Sequence, residues 1–268
     1  MAQGQGVNLL VALGGGPTDG ELLAVARGVA AAADWSLRAV HVRDPRGAGT
    51  DALDGIDLTD VELIETEGAP VAEIERLVAA GADAVAFGAR ARPAPGIGGV
   101  ALALLGALDV PMLVVRPGVR PVERLRRIVV PLEGSPSASV AMKHADDAFC
   151  ARGREIVMLH VVTSDAPLEP GSLPAPRLMD QEHYEWKAWQ EEFTMRFSQC
   201  VEGGRHRVSV RVGDPPTAIL REIRDLDAEL VVVSWRGTLA EDRAPVVRAL
   251  LEGSPCAIYL VPAAPETS

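Results

Sequence analysis

The sequence predicts two tandem doubly wound α/β domains, each built on a parallel sheet, and three observations carry that prediction. Residues 8–117 and 127–262 run through the same order of elements. Asn8-Leu9-Leu10-Val11-Ala12-Leu13-Gly14-Gly15-Gly16 is echoed by Arg127-Ile128-Val129-Val130-Pro131-Leu132-Glu133-Gly134-Ser135, and Leu37-Arg38-Ala39-Val40-His41-Val42 by Ile156-Val157-Met158-Leu159-His160-Val161. Gly68-Ala69-Pro70 and Gly213-Asp214-Pro215 stand before corresponding helices. A repeat of about 120–140 residues is domain-sized and far too long for a solenoid unit. The expected boundaries are 1–118 for the first domain, 119–126 for a linker and 127–268 for the second domain.

Each element follows from its local pattern. Residues 9–13 are a short apolar run ending in glycines, the mark of a strand buried on both faces. Thr18 stands three before Glu21 as a capping box, and Leu22, Leu23, Val25, Ala26, Val29, Ala30 and Ala33 follow at helical spacing. In the second copy Ser135 caps, Pro136 suits the first helical turn, and Val140, Ala141, His144, Ala145, Ala148 and Phe149 form the inner face. Second strands end near His41 and His160. Third strands fall at 61–65 and 208–212, helices at 71–80 and 217–225, fourth strands at 84–87 and 230–233. Last helices at 100–108 and 245–251 lead into last strands at 112–115 and 257–261. Strands alternating with helices imply right-handed crossovers and a parallel sheet. Ligands of such sheets lie outside the carboxyl ends of the strands, so the loops there are where function is sought.

The halves differ in one connection. Where the first has an acidic loop (43–60), the second has an insertion at about 163–207: a proline-rich arm, then a helix over 179–201 with Trp186, Trp189, Phe193 and Phe197 on one face. That face is expected to cover the second sheet, or to serve as a subunit or partner-protein interface or a ligand wall, where Trp is enriched.

Composition narrows the classes. An apolar content of 48% suffices for two packed cores, and with aromatics at only 4% Ala, Val and Leu must fill them. The net charge of −11 has no basic stripe, which excludes backbone-driven nucleic-acid binding. The N-terminus lacks the basic region of a secretion signal, and the longest apolar stretch (97–115) is broken by Asp109 and Pro111, against a membrane span. Cys150, Cys200 and Cys256 show no paired spacing and are expected to be reduced, buried thiols of a cytoplasmic protein.

The arrangement resembles the universal stress protein family in its tandem form. The resemblance rests on Ile128 to Ser135, Leu159-His160-Val161-Val162, Gly213-Asp214-Pro215, Ala228 to Gly237 and Ser254 to Pro262, in this order. It implies the Rossmann-like fold of the adenine nucleotide α-hydrolase-like group. It also implies an ATP site built from an Asp ending strand one and a G-x2-G-x9-G-[ST] loop after strand four. Glycines of such a loop let backbone N–H groups reach phosphate oxygens at a helix N-terminus. Neither half keeps the pattern. In the first, Gly14 replaces the Asp, with Gly15 beside it. Its loop reads Gly88-Ala89-Arg90-Ala91, and Gly98-Gly99 come three residues early. In the second, Glu133-Gly134-Ser135 ends strand one, the loop reads Ser234-Trp235-Arg236-Gly237, and Pro245, which has no N–H, sits where the last pair belongs.

Sharper readings fail on residues. Gly14, Gly16 and Gly20 miss the third glycine of a dinucleotide fingerprint, since position 19 is Asp. Glu21 stands where a P-loop needs Lys. His41 and His160 are expected to be satisfied by backbone rather than to act as bases. Asp51, Asp54, Asp57 and Asp60 lack EF-hand spacing, and His183, Cys200 and His206 lack zinc spacing, so no metal is expected. No G-x-S-x-G supports acyl transfer. The expectation is a non-catalytic stress-response or regulatory binding module holding no cofactor, or weakly bound ATP or AMP. Its partners would be a second copy, or its own other half, through the last strands, with no nucleic acid and no membrane. The alternatives are an adenine-nucleotide sensor and an enzyme of the α-hydrolase-like group.

Overall fold

The computed structural model describes residues 7–45, 53, 55–90, 96–132, 139–151, 153–163, 204–237, 239 and 244–263. The first half runs β1 (Asn8–Leu13), α1 (Asp19–Ala33), β2 (Ser36–Arg43), β3 (Glu62–Glu67), α2 (Pro70–Ala79), β4 (Ala84–Gly88), α3 (Gly99–Ala107) and β5 (Met112–Val115). The second runs β6 (Arg127–Pro131), α4 (Ser139–Phe149), β7 (Glu155–Val162), β8 (Arg205–Val212), α5 (Pro215–Asp225), β9 (Leu230–Trp235), α6 (Pro245–Gly253) and β10 (Ala257–Pro262). The expected insertion therefore ends earlier than 207, because residues 205–207 already belong to β8. Its aromatic helix, with Trp186, Trp189, Phe193 and Phe197, lies outside the described residues.

All ten strands form one sheet in the order β3-β2-β1-β4-β5-β10-β9-β6-β7-β8. Every neighbouring pair is parallel except β5 with β10, where Ile258 faces Val114, Tyr259 faces Leu113 and Leu260 faces Met112. Each half thus winds in the same order, and the two last strands join them back to back. The strands near this seam are buried on both faces and read as unbroken apolar runs. The outer strands β3 and β8 alternate instead and carry Glu62, Glu65, Glu67 and Arg205, Arg207, Arg211, charges that blunt an exposed edge.

The core is divided by face, not by half, which corrects the expectation of two separate cores. α1 and α4 cover one face over a cluster that runs from Leu9 and Val11 to Val130 and Tyr259. α2, α3, α5 and α6 cover the other, over Leu10, Val85, Val231 and Ile258. The reason is topological: once β5 pairs with β10 the sheet has no break at which a core could end. Aromatic rings gather at the seam. Trp35 stands 5.5 Å from Phe149 and 5.8 Å from Tyr259, and Phe149 meets Tyr259 edge-on at 5.7 Å. The fully buried Tyr259 hydroxyl hydrogen-bonds His144 Nε2 at 3.1 Å, and burial raises its pKa.

The segment expected as a linker is packed rather than slack. Val119, Val122 and Leu125 are buried in the first cluster, and a Cβ on Gly28 of α1 would lie 1.8 Å from the Val122 carbonyl oxygen. The capping box at α1 does not form. Thr18 Oγ1 donates to the Arg90 carbonyl, and Glu21 instead accepts the Gly118 N–H at 2.7 Å, tying the helix to this segment. The Gly-x-Pro turns do repeat: Gly68 and Gly213 take φ of +152° and +134°, which favours glycine. Asp214 then caps α5 by accepting the Thr217 N–H, while Ala69 leaves α2 without a side-chain cap. Cys256 is a buried thiol pushed up to about 12, but Cys150 is disulfide-bonded, against the expectation of reduced thiols throughout. Spacing carries no signal for a pairing that the fold itself makes. Residues 133–138, with the expected Ser135 cap, lie outside the described residues.

Two glycines on helices test packing against propensity. Gly28→Ala is expected to lower stability by about 1–3 kcal/mol, because overpacking against the Val122 backbone outweighs the gain in helix propensity. Gly106→Ala on α3, which has open space around it, is expected to leave stability unchanged or raise it by up to about 1 kcal/mol. Urea unfolding of both variants measures the two signs.

Candidate functional site

The carboxyl ends of the strands open into one cleft per half. The first, of about 350 Å³, lies between the ends of β1, β2 and β4 and the start of α3. It brings together Gly14, Gly88, Gly98 and Gly99 with Asp19, Asp44 and Arg90. Gly88 is confined there, since a Cβ would meet the Arg90 carbonyl oxygen at 3.2 Å. Gly98 caps α3, but its N–H donates to the Ala89 carbonyl at 2.8 Å and is turned inward.

Asp19 decides what this cleft can hold. Its carboxylate accepts the N–H of Gly15 at 2.7 Å and of Gly16 at 3.1 Å. Those are the backbone donors that a glycine turn leading into a helix offers to an anion. Gly15, at φ +73°, supplies the bend and is outside the cleft's lining. Asp19 is 3% exposed; desolvation raises its pKa, opposed by those backbone hydrogen bonds. The protein thus carries its own carboxylate on the amides of this turn. Sequence reading missed this role. The signal was an Asp three to five residues after the glycines, a spacing at which a side chain folds back onto the turn.

The second cleft, of about 430 Å³, is lined by Pro131, Pro215, Pro216 and Pro245, and by Asp214, Ser234 and Arg236. Pro245 opens α6 at its first turn, so the helix lacks the N–H that would point there. Gly237 follows at φ +78°, outside the lining. Trp235 turns away from solvent and donates its indole N–H to the Leu105 carbonyl of α3 at 2.9 Å, so this loop is anchored to the other half. Glu133, Gly134 and Ser135 lie outside the described residues.

The paired histidines match the backbone reading. His41 Nδ1 donates to the Leu13 carbonyl at 3.1 Å, and His160 Nδ1 to the Leu132 carbonyl at 3.0 Å, across an identical separation of 28 residues. Each ring clamps strand two to the end of strand one. Among the described residues Nε2 of His41 has no hydrogen-bond partner. No helix among the described residues is long and apolar enough to cross a membrane.

The model of the Universal stress protein family matches residues 124–262. Among solved structures, a universal stress protein from Archaeoglobus fulgidus superposes with a TM-score of 0.65 at 16% identity, covering 95% of this chain and 98% of its own. A protein of unknown function from Pseudomonas aeruginosa PAO1 superposes with a TM-score of 0.63 at 13% identity, covering 96% and 93%. At such identities the likeness is one of fold. No curated protein matches the sequence.

Two buried histidines give the fold a pH signature. Burial lowers the pKa of His160 and of His144 from 6.5, so both stay neutral in the fold where the unfolded chain takes up protons. Stability is therefore full above 6.5 and falls as pH drops from there towards the lowered folded values, with a limiting slope of about 1.4 kcal/mol per pH unit for each ring. Asp19, raised from 3.8, acts in a lower window and with the opposite sign. The melting-temperature difference between wild type and a His144→Gln/His160→Asn variant, which keeps a donor at each bonding nitrogen, is expected to be constant above 6.5 and to shift against wild type as pH falls below it.

Proposed function

The chain belongs to the universal stress protein family, and from that membership we propose that it works as a non-catalytic regulatory binding module in which ATP binding is weakened or lost. Its working units would be two tandem domains, 1–118 and 127–268, joined through 119–126. The observation that carries this reading is the Asp19 carboxylate on the N–H groups of Gly15 and Gly16. In the first cleft a buried carboxylate lines the wall with its turn amides already taken, and Asp44 adds a second acid on a wall whose cation is Arg90. The second cleft has Pro245 at the first turn of α6, where a backbone donor would serve a phosphate, and three further prolines in its lining.

An adenine-nucleotide sensor is the second reading, favoured by the second cleft alone. Its volume lies within the range of small-molecule sites, and Arg236 and Ser234 stand on its wall. The acidic charge without a basic stripe supports a partner other than nucleic acid; a cytoplasmic location is part of the same proposal. A second copy of the chain, or a protein partner through the Trp186 and Trp189 segment, completes the proposal.

Calorimetry of the full chain with ATP and with AMP tests this reading. The expected ATP Kd is weaker than about 100 μM, or about 5.5 kcal/mol, and low-micromolar binding would refute the proposal. Asp19→Ser frees both amides and removes the charge, and is expected to tighten ATP binding at least about tenfold, or 1.4 kcal/mol. An unchanged affinity in a variant that stays folded would show that Asp19 is not what closes the first cleft.

A further inference from the structure

We propose that the reduced protein holds a zinc-class divalent cation between Asp146, Cys150 and His206. The Cys150 N–H donates to the Asp146 carbonyl at 3.1 Å, so Cys150 closes the last turn of α4, and side chains four apart on a helix share one face. His206, the second residue of β8, sits beside Ile156 of β7 and puts its Nε2 2.7 Å from Asp146 Oδ1. One oxygen, one nitrogen and one sulfur thus lie within 4.8 Å of one another. Only 2% of the Asp146 side chain and 9% of the His206 side chain is exposed.

The donor set selects the ion. Thiolate with imidazole and carboxylate is the chemistry of zinc and its close neighbours, whereas magnesium and calcium require oxygen throughout. With bonds of about 2.0–2.3 Å, tetrahedral donors stand roughly 3.3–3.8 Å apart, so this cluster reaches a zinc geometry by shifts of about 1 Å.

Cys150 is disulfide-bonded here, with its partner outside the described residues, and a disulfide sulfur is not a thiolate ligand. The site therefore belongs to the reduced chain. A thiol reductant gives two electrons to the protein disulfide, yielding two protein thiols and its own disulfide. The cation then displaces the Cys150 proton and the sulfur–metal bond forms. Reoxidation by a disulfide of the same class reforms the sulfur–sulfur bond and releases the cation. The cluster lies at the amino ends of β7 and β8, across the sheet from the second cleft, so this inference is independent of any nucleotide there.

The test uses the full chain, stripped of metal with a chelator, reduced with a phosphine and titrated anaerobically with cobalt(II). The expected result is a sulfur-to-cobalt charge-transfer band with tetrahedral d–d absorption, saturating at one cobalt per chain, displaced by zinc and absent from the oxidised chain. Cys150→Ser is expected to remove the charge-transfer band, and His206→Gln to weaken binding by about 100-fold. No band in the reduced wild type, or a band that survives Cys150→Ser, overturns the proposal. Should a variant fail to fold, the wild type decides alone: zinc must raise the melting temperature of the reduced chain and leave that of the oxidised chain unmoved.

Discussion

The antiparallel pairing of β5 with β10 is the constraint on which the rest of the molecule depends. Each half, taken alone, would end in a fully buried, apolar last strand with one row of N–H and C=O groups unpaired, a template for association with any other strand. Joining the two last strands closes both edges at once and moves the exposed edges out to β3 and β8, which are charged. The two core clusters can then run uninterrupted under the helices of both halves. Trp35, Phe149 and Tyr259 fill the space over the seam on one face, and the Trp235 indole reaches across to α3. Arg116 adds a hydrogen bond to the Ser254 carbonyl at 2.8 Å.

The same winding, present twice, makes the differences between the clefts informative. Backbone features survive in both copies: the histidine clamp, the left-handed glycine before α2 and α5, the order of strands. What diverges is the chemistry offered at the strand ends. The first half keeps glycines but fills its turn with Asp19; the second lines its cleft with prolines. Both arrangements leave fewer free backbone N–H groups at the strand ends. One spends the donors on an internal carboxylate, and the other removes them from the chain.

Much of the fold was legible because strands buried on both faces must be continuous apolar runs and helices must carry apolar residues at a 3.6-residue period. The repeat, the order of elements and the backbone role of His41 and His160 followed from such local rules. What could not be read depended on contacts between distant segments. Glu21 looked like half of a capping box until Gly118, far along the chain, supplied a better donor. Residues 119–126 looked like a linker because Pro and Gly precede them, yet Val122 packs so close to α1 that only Gly28 admits it. The clefts were half legible: Gly14, Gly88, Gly98 and Gly99 were placed together, but the Asp19 side chain that governs them was read only as a missing glycine. Asp146, Cys150 and His206 were invisible as a set because two come from a helix end and the third from a strand across the longest insertion.

The two ends of the sheet in the second half are physically separate, and this bears on how such a chain could respond to more than one condition. The cleft lies at the carboxyl ends of β7 and β9, where strand-to-helix turns expose backbone donors. The Asp146–Cys150–His206 cluster lies at the amino ends, where α4 delivers its last turn to the edge strand. A ligand in the cleft touches α5 and α6, whereas the state of Cys150 acts on α4. α4 in turn packs against the seam through Phe149 and, by way of His144, holds the Tyr259 hydroxyl. Among the described residues, the elements common to both are the strands and the continuous core beneath them. Coupling between the chemistry of Cys150 and occupancy of the cleft has two routes here: the position of α4 on the sheet, and β8, which carries His206 and whose Ser209 and Arg211 hydrogen-bond Glu222 of α5. The direct route between them is blocked by the buried strands β6 and β7, whose residues Val129, Val157 and Leu159 are wholly inaccessible to solvent.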